Sequence, residues 1–529
     1  EKAKDCVTYH IDNTSAISIL VDTDCDGYSS AALMYQLLLR HNSALKIEYI
    51  IHKNKEHGLR DVVEQLLSCD SKLILIPDAG TGDSEECKLL KKSGKDIVIL
   101  DHHKIDKGDN PAIIVNNQLS GQIKDKAMTG VGICYKFATV LDDYYHTKYA
   151  DDYLDLVAFG MIGDRVDLHN LQCRYLVMKG IEQIKQETNK NKLISNFITN
   201  QAFSMNYQVT INGIGFYINP LMNSLIRLGE YENKCLMFEA LCNSNKVLDR
   251  KVKGKGVIPL SIQEYVYKDC ASTNRKQKEL IDDSSNKLCE SINANDLNNY
   301  PILVCNAEDN VDKNSIGLMA NRLTDIYQKP CLLMRRKGNY CSGSGRGFDK
   351  CEILDFNKWC KDTGLFSFVD GHENAFGVGI TFNNTYKLFD LLSNMKSINE
   401  PTYHVFNKYD DKTIDSKIII NIAKYDYLWG CGVEEPIFLI KNIVCNKYSI
   451  NLIGQKQNRL EFTYHNIKFV KQTKGNSLLK LYKDILDCGD NIKFDVICKF
   501  KRDPKDKSAI VYIEDMCYEK SENKNCFGM

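Results

Sequence analysis

Between Ala16 and Leu100 short apolar runs alternate with helical patterns, and this rhythm limits the first part of the chain to a mainly parallel sheet with crossover helices. The runs are Ala16 to Val21, Lys46 to His52, Lys72 to Pro77 and Asp96 to Leu100. The helical stretches between them are Tyr28 to Arg40, Leu59 to Leu67 and Ser84 to Lys92. Parallel strands deliver their carboxyl ends to one edge, where open α/β sheets build their sites. Polar groups just past those ends are therefore candidates to meet in space. The first run ends in Asp22-Thr23-Asp24-Cys25-Asp26-Gly27, the third in Pro77-Asp78-Ala79-Gly80 and the fourth in Asp101-His102-His103. A later buried helix, Leu154 to Ile162, ends in Gly163-Asp164.

Taken singly, each of these groups has an ordinary structural account. The acidic turn after Val21 can cap the helix that follows a glycine turn. Asp78 can open a turn, His102 and His103 can lie on the surface, and Asp164 can cap a helix. Taken together, successive strands ending in carboxylate or imidazole, joined by a further element ending in Gly-Asp, have the layout of a two-cation site. Oxygen-rich donor sets of this kind suit magnesium or manganese better than zinc.

Composition narrows the class. A chain of 529 residues exceeds a single core and divides into several domains. Its 69 basic and 69 acidic residues cancel, so any nucleic-acid contact has to come from a local groove. No apolar run approaches the roughly 20 residues of a membrane span. Glu1 to His10 is too polar and charged for a signal peptide, so a cytoplasmic chain without membrane contact is expected. The 21 cysteines are odd in number and lack C-x-x-C pairs, which points to reduced, mostly buried thiols.

Asp22-x-Asp24-x-Asp26-Gly27, Asp78 in its turn, Asp101-His102-His103 and Phe159-Gly160-Met161-Ile162-Gly163-Asp164 resemble, in order and on matching elements, the motifs of the DHH phosphoesterase superfamily. The resemblance implies that Asp24 holds one metal, that Asp26, His102 and Asp164 hold the other, and that Asp78 bridges both. It further implies that His103 faces the scissile phosphate and that Asp101 supports the histidines. Many relatives carry a histidine ahead of the middle aspartate of the first motif. Here Leu20 stands in that place, and Asp22 is the candidate to supply the missing ligand.

Gly213 to Pro220, followed by Asn223 and Arg227, reads on its own as a glycine loop before a core helix. It also resembles the segment with which RecJ-type single-strand exonucleases line their active cleft, with Leu221 in place of the arginine usual after the proline. Residues 258 to 292 are expected to form a long connecting helix with a solvated charged face. A second α/β lobe then opens with strand Pro301 to Val304, helix Ser315 to Tyr327 and strand Pro330 to Met334. Cys341 to Gly347 and Phe368 to Gly377 are expected as glycine loops that let the backbone approach an anion. They resemble the Gly-Ser-x-Arg and Gly-His segments of the DHH-associated domain, which implies that Ser344, Arg346 and His372 bind substrate phosphates.

From Ser416 the pattern changes to short strands, Lys417 to Ile422, Ile437 to Val444, Ser449 to Ile453, Arg459 to Tyr464, Asn491 to Lys499 and Ala509 to Ile513, expected to form a small antiparallel barrel. Trp429 to Phe438 resembles the entry segment of the OB-fold in RecJ-type enzymes. Lys456, Arg459, Tyr464, Lys468, Phe469, Lys471, Lys499, Lys501 and Arg502 interleave cations with rings, as single-strand binding requires. Phe469 and Phe500 are equally accounted for as barrel core. The expected domains are 1–200 (DHH catalytic), 201–290 (cleft segment and connecting helix), 291–400 (DHH-associated) and 401–529 (OB-fold-like).

These resemblances imply a metal-dependent 5′-3′ exonuclease on single-stranded DNA, in repair, recombination or end processing. Two divalent cations, Mn2+ or Mg2+, would serve it, with His103 and Arg346 bonded to the phosphate. It would act as a monomer, with a single-strand-binding protein or a helicase as candidate partner. Two other readings stand beside this one. A small-substrate DHH phosphoesterase for oligoribonucleotides, cyclic dinucleotides or pyrophosphate would generally lack the C-terminal barrel. A non-catalytic DHH-fold scaffold in a replication assembly would have lost ligands, yet Asp24, Asp26, Asp78, His102 and Asp164 all remain.

Overall fold

In the computed structural model the described residues are 1–520 apart from 55, 105–107, 120, 122–125, 187–190, 253, 255, 308–314, 396–401, 474–476 and 504. They divide into two compact units, residues 1–274 with 405–520, and residues 275–404. No helix among them is long and apolar enough to cross a membrane, and every cysteine among them is free.

After α1 (Lys2–Asp12), the strands β1 (Ile17–Val21), β2 (Ile47–Ile51), β3 (Leu73–Pro77), β4 (Asp96–Asp101) and β5 (Ile113–Asn116) pair in parallel in the order β2-β1-β3-β4-β5. The crossover helices are α2 (Cys25–His41), α3 (Val63–Ser68) and α4 (Ser84–Lys92). Because β1 and β3 are buried at every residue, they read as near-continuous apolar runs, interrupted by Ser18 in β1, and not as alternating ones. Successive side chains feed two separate cores. Ile17, Ile19, Leu73, Leu75 and Val98 face the one shared with α2, while Leu20, Ile74, Ile76, Ile97 and Ile99 face the one closed by α3 and α4. The strand order reverses between β1 and β3, the place where such sheets leave a crevice at their carboxyl ends.

The sheet is followed by α5 (Gly130–Tyr145), α6 (Leu154–Gly163), α7 (Leu171–Lys185) and α8 (Lys192–Gln201). Residues 155–162 of α6 are all buried, so this helix is apolar on every side. The segment from Gly213 to Pro220, for which a glycine loop was the alternative account, is helical. A single turn, α9 (Ile211–Gly213), runs through a π-helical turn at Ile214–Ile218 into α10 (Asn219–Leu228), with Pro220 just past the π-helical turn. Then come α11 (Tyr231–Leu241), the hairpin β6 (Val247–Val252) and β7 (Gly256–Ser261), and the expected long helix, α12 (Ile262–Ala294).

The second unit contains β8 (Leu303–Asn306), α13 (Ile316–Tyr327), β9 (Cys331–Lys337), β10 (Tyr340–Arg346), α14 (Phe356–Asp362), β11 (Phe366–His372), β12 (Ala375–Thr381) and α15 (Phe382–Asn394). Its sheet order is β11-β12-β10-β9-β8, which corrects the reading of residues 341–347 and 368–377 as loops. Cys341 to Arg346 is a central strand paired on both sides, and residues 368–377 are mostly the β11–β12 hairpin. Glycine in β10 serves packing and not a turn: a Cβ on Gly343 would lie 2.1 Å from the Leu333 carbonyl oxygen on β9.

The C-terminal segment comprises β13 (Asn407–Asp410), α16 (Ser416–Ala423), β14 (Phe438–Asn446), β15 (Asn451–Ile453), β16 (Arg459–Tyr464), β17 (Ile467–Gln472), α17 (Leu479–Asp487), β18 (Asn491–Arg502) and β19 (Ala509–Lys520). Residues 417–422, expected as a strand, are helical. Asp415 caps them by accepting from the Lys417 N–H at 2.9 Å, and Ile419 and Ala423 are buried four residues apart. The sheet runs β13-β14-β18-β19-β17-β16-β15, and β13–β14 and β17–β19 pair in parallel, so it is mixed where an antiparallel sheet was expected. No pairing among the described residues closes it. Phe438 stacks on Phe500 at 4.1 Å and Phe462 on Phe469 at 5.0 Å, all inside the core.

The tight approach at Gly343 yields a test. Gly343→Ala is expected to destabilise the second unit by about 2 kcal/mol or more, read from urea unfolding, while Ser342→Ala at the exposed neighbouring position stays near wild type. Equal midpoints for the two variants would contradict this strand packing.

Candidate metal centre

Asp24 is the N-cap of α2, accepting from the backbone N–H of Asp26 at 2.9 Å and of Gly27 at 3.0 Å. Gly27, expected in a turn, therefore sits in the first turn of the helix. Asp26 is buried, and its carboxylate accepts from the Gly130 N–H at 2.8 Å, the Val131 N–H at 3.1 Å and the Thr129 hydroxyl at 3.2 Å. Gly130 is required at the start of α5, since a Cβ there would lie 2.1 Å from Asp78 Oδ1. Asp78 follows β3 with φ of +66°, a left-handed conformation that costs a non-glycine residue about 1 kcal/mol. Its N–H donates to the Leu100 carbonyl of β4 at 2.7 Å, which fixes that geometry.

At the end of β4, Asp101 Oδ1 accepts from the His102 N–H at 2.7 Å, the His103 N–H at 3.1 Å and His103 Nδ1 at 2.8 Å. Its Oδ2 accepts from the Thr81 N–H at 3.2 Å. Burial alone would push the Asp101 carboxyl up, but the His103 imidazolium and the surrounding N–H donors outweigh it and hold the group well below the usual carboxylate range. The Asp101 hydrogen bond in turn raises His103 to about 9, so His103 is a cation at neutral pH. Asn116, at the end of β5, donates to the His103 carbonyl at 3.1 Å and to the Thr81 hydroxyl at 3.0 Å, tying the loop down.

His102 Nε2 lies 3.2 Å from Asp78 Oδ1, 3.8 Å from Asp164 Oδ2 and 4.0 Å from Asp26 Oδ2. Asp164 is the C-cap of α6. Donor atoms of Asp26, His102 and Asp164 lie within 4.8 Å of one another, and so do those of Asp78, His102 and His103, and those of Asp22, Asp24 and Asp78. Asp78 is thus shared between neighbouring donor groups. Burial, reinforced by the other carboxylates, pushes Asp78 and Asp164 well above the ordinary carboxyl range and Asp26 up to about 7. The side-chain oxygens Asp22 Oδ1 and Asp78 Oδ1 are buried without a hydrogen-bond partner. Orphaned, crowded oxygens beside the His102 imidazole fit a divalent, oxygen-seeking cation.

Leu20 projects into the core beneath α3 and α4, away from these groups, while Asp22 joins Asp24 and Asp78. Asn223 and Arg227 lie on α10, where Cys25 Sγ donates to Asn223 Oδ1 at 3.4 Å and the Arg227 Nε is buried without a hydrogen-bond partner. In the second unit Arg346 Nη1 donates to Ser344 Oγ and to the Gly345 carbonyl, each at 2.7 Å. Arg346 and His372 both stand opposite Ala375 of β12, on its two flanking strands. Sequence reasoning missed His57, whose Nδ1 lies 2.8 Å from Asp22 Oδ2, and Thr129 and Asn116. A lone histidine in the loop after β2 carries no spacing signal toward Asp22.

Residues 16–161 match the model of the DHH family, N-terminal domain. The chain is 34% identical over 480 residues to the SPbeta prophage-derived YorK of Bacillus subtilis (strain 168), assigned by its name as a single-strand DNA-specific exonuclease, covering 89% of this chain and 82% of that protein. It is 23% identical over 448 residues to the single-stranded-DNA-specific exonuclease RecJ of the same organism, covering 82% of this chain and 50% of that protein. The crystal structure of RecJ from Thermus thermophilus in complex with Mn2+ superposes with a TM-score of 0.72 at 17% identity, covering 98% of this chain and 71% of that one. This last likeness is one of fold.

The raised carboxyls set a sign for pH dependence. A carboxyl whose folded pKa lies above its unfolded value loses stability as pH rises through that interval, and a histidine raised to about 9 loses its contribution over the upper part of the same range. The metal-free protein is therefore expected to melt roughly 5 °C lower at pH 8 than at pH 5.5. Asp78→Asn should shrink that difference, and Mn2+ should raise the melting temperature more at pH 8 than at pH 5.5. A metal-free melting temperature that climbs with pH would contradict the assignment.

Proposed function

We propose, on the premise that this chain belongs to the RecJ-type branch of the DHH phosphoesterase superfamily, that it is a metal-dependent exonuclease hydrolysing phosphodiester bonds of single-stranded DNA. The observation that carries the proposal is the convergence of Asp26, Asp78, His102 and Asp164 with buried oxygens that lack partners. Asp26, His102 and Asp164 would hold one Mn2+ or Mg2+ ion, Asp22 and Asp24 the other, and Asp78 both. When bound, such cations supply an acidified water and positive charge for the phosphoryl oxygens.

The chain's own residues do the rest. Asp101 keeps His103 protonated and oriented through Nδ1, which leaves Nε2–H to donate to a non-bridging phosphate oxygen. Thr129 and the N–H groups opening α5 fix the Asp26 carboxylate without neutralising it. Ser344 steadies the guanidinium of Arg346, which with His372 would bind phosphates of the strand, as Asn223 and Arg227 would near the first motif. The direction of degradation we infer is 5′ to 3′, and the setting is repair, recombination or end processing.

The C-terminal segment reads as an OB-type module. The pairings β14–β18, β18–β19, β17–β19 and β16–β17, the helix α17 between β17 and β18, and contact between β14 and β16 support that reading.

Single strands labelled at either end, incubated with Mn2+ or Mg2+, test the proposal. Wild type is expected to release mononucleotides from the 5′ end first. Asp78→Ala should lower the rate about a thousandfold and His103→Ala about a hundredfold. Degradation from the 3′ end would overturn the polarity, and activity confined to dinucleotides would overturn the substrate.

A further inference from the structure

Most of the rings along the C-terminal strands lie in the core, and several of the interleaved cations are paired with carboxylates. Phe462, Phe469, Phe494 and Phe500 are core residues. Arg459 pairs with Glu461, Lys499 with Glu514 at 3.1 Å, and Lys501 with both Asp426 and Glu435. Arg502, next along β18, has no ion pair among the described residues, and its Nε is buried without a hydrogen-bond partner. A buried guanidinium N–H left unpaired is costly.

Arg502 borders a cavity of about 370 Å³ between residues 424–427 and the turn 207–210 that precedes α9. Lys185, at the end of α7, and Lys424 supply two more cations to its wall. The carboxylate in that wall, Asp426, is already paired with Lys501, so the cavity is net positive. Tyr207 and Tyr427 border the same space with 63% and 39% of their surface exposed, leaving ring area for a ligand. None of these residues belongs to the metal-ligand cluster. The seam is nonetheless anchored close in sequence to Asp164, since the Leu168 N–H donates to the Cys431 carbonyl at 2.9 Å.

We propose that this cavity is a nucleotide-binding site separate from the metal centre, with Arg502, Lys424 and Lys185 taking the phosphate and Tyr207 or Tyr427 stacking on the base. A volume in the roughly 300–1,000 Å³ range of small-ligand sites, three cations without an ion pair among the described residues and exposed rings together select a nucleotide over a bare phosphate, which needs no ring, and over an apolar ligand, which needs no cation. The occupant is an internal nucleotide of the substrate strand. The assignment rests on the exonuclease reading for its ligand class, and free mononucleotide shares the same chemistry.

Fluorescence anisotropy of labelled dT20 on the full chain carrying Asp78→Ala, in EDTA, tests it, with dTMP titrated separately by tyrosine fluorescence. Adding Arg502→Gln and Lys424→Gln is expected to weaken dT20 binding about tenfold and to lower the slope of log K against log salt by about 1.4. Tyr207→Phe should retain affinity and Tyr207→Leu lose it, with unchanged melting temperatures showing that the fold persists. If only dTMP binding weakens by threefold or more, the site takes free nucleotide and the nucleotide assignment stands. Weakening below threefold for both ligands overturns it. Failure of wild type to degrade any single strand with Mn2+ would sink the exonuclease reading instead, and is read in a separate assay.

Discussion

The parallel sheet of the first unit is arranged around one electrostatic constraint: buried Asp26 and Asp78 and half-buried Asp164 sit side by side around His102 Nε2, and such a group cannot be fully ionised without a compensating positive charge. The fold does not dissipate that repulsion. It supplies N–H donors to Asp26 and Asp101 and leaves an oxygen of Asp22 and one of Asp78 without hydrogen-bond partners. Donors are spent on orientation, and the charge deficit is left for cations.

The backbone bears part of the cost of holding that arrangement. Asp78 keeps a left-handed conformation at the end of a buried strand, Gly130 gives up its side chain to admit the Asp78 carboxylate, and Asp24 serves as helix cap while remaining beside Asp22 and Asp78. Strain of this kind persists only where surrounding structure over-determines it. Here the parallel pairing of β1, β3 and β4 does so, because one sheet edge carries all three strand ends.

Much of this was legible in the sequence for a physical reason. Strands buried on both faces appear as unbroken apolar runs, and parallel pairing makes the residues after them neighbours, so Asp22, Asp78 and His102 could be brought together without coordinates. Elements whose residues contradict their structure were not legible. β10 is rich in glycine and serine because β9 passes too close for a side chain at Gly343, and α16 is rich in isoleucine yet starts at an Asp415 cap. The role of His57 was invisible because only the return of β2 beside β1 carries that loop to Asp22. Phe469 and Phe500 could be read as stacking platform or core, and burial decides for core.

The account stands or falls on whether this crowded pocket gathers divalent cations. Anomalous diffraction from crystals of the chain grown with Mn2+ measures that directly. The expected result is two manganese peaks about 3.5–4 Å apart flanking the Asp78 carboxylate, one beside Asp26, His102 and Asp164 and the other beside Asp22 and Asp24. Saturating manganese with no peak at these residues would contradict it.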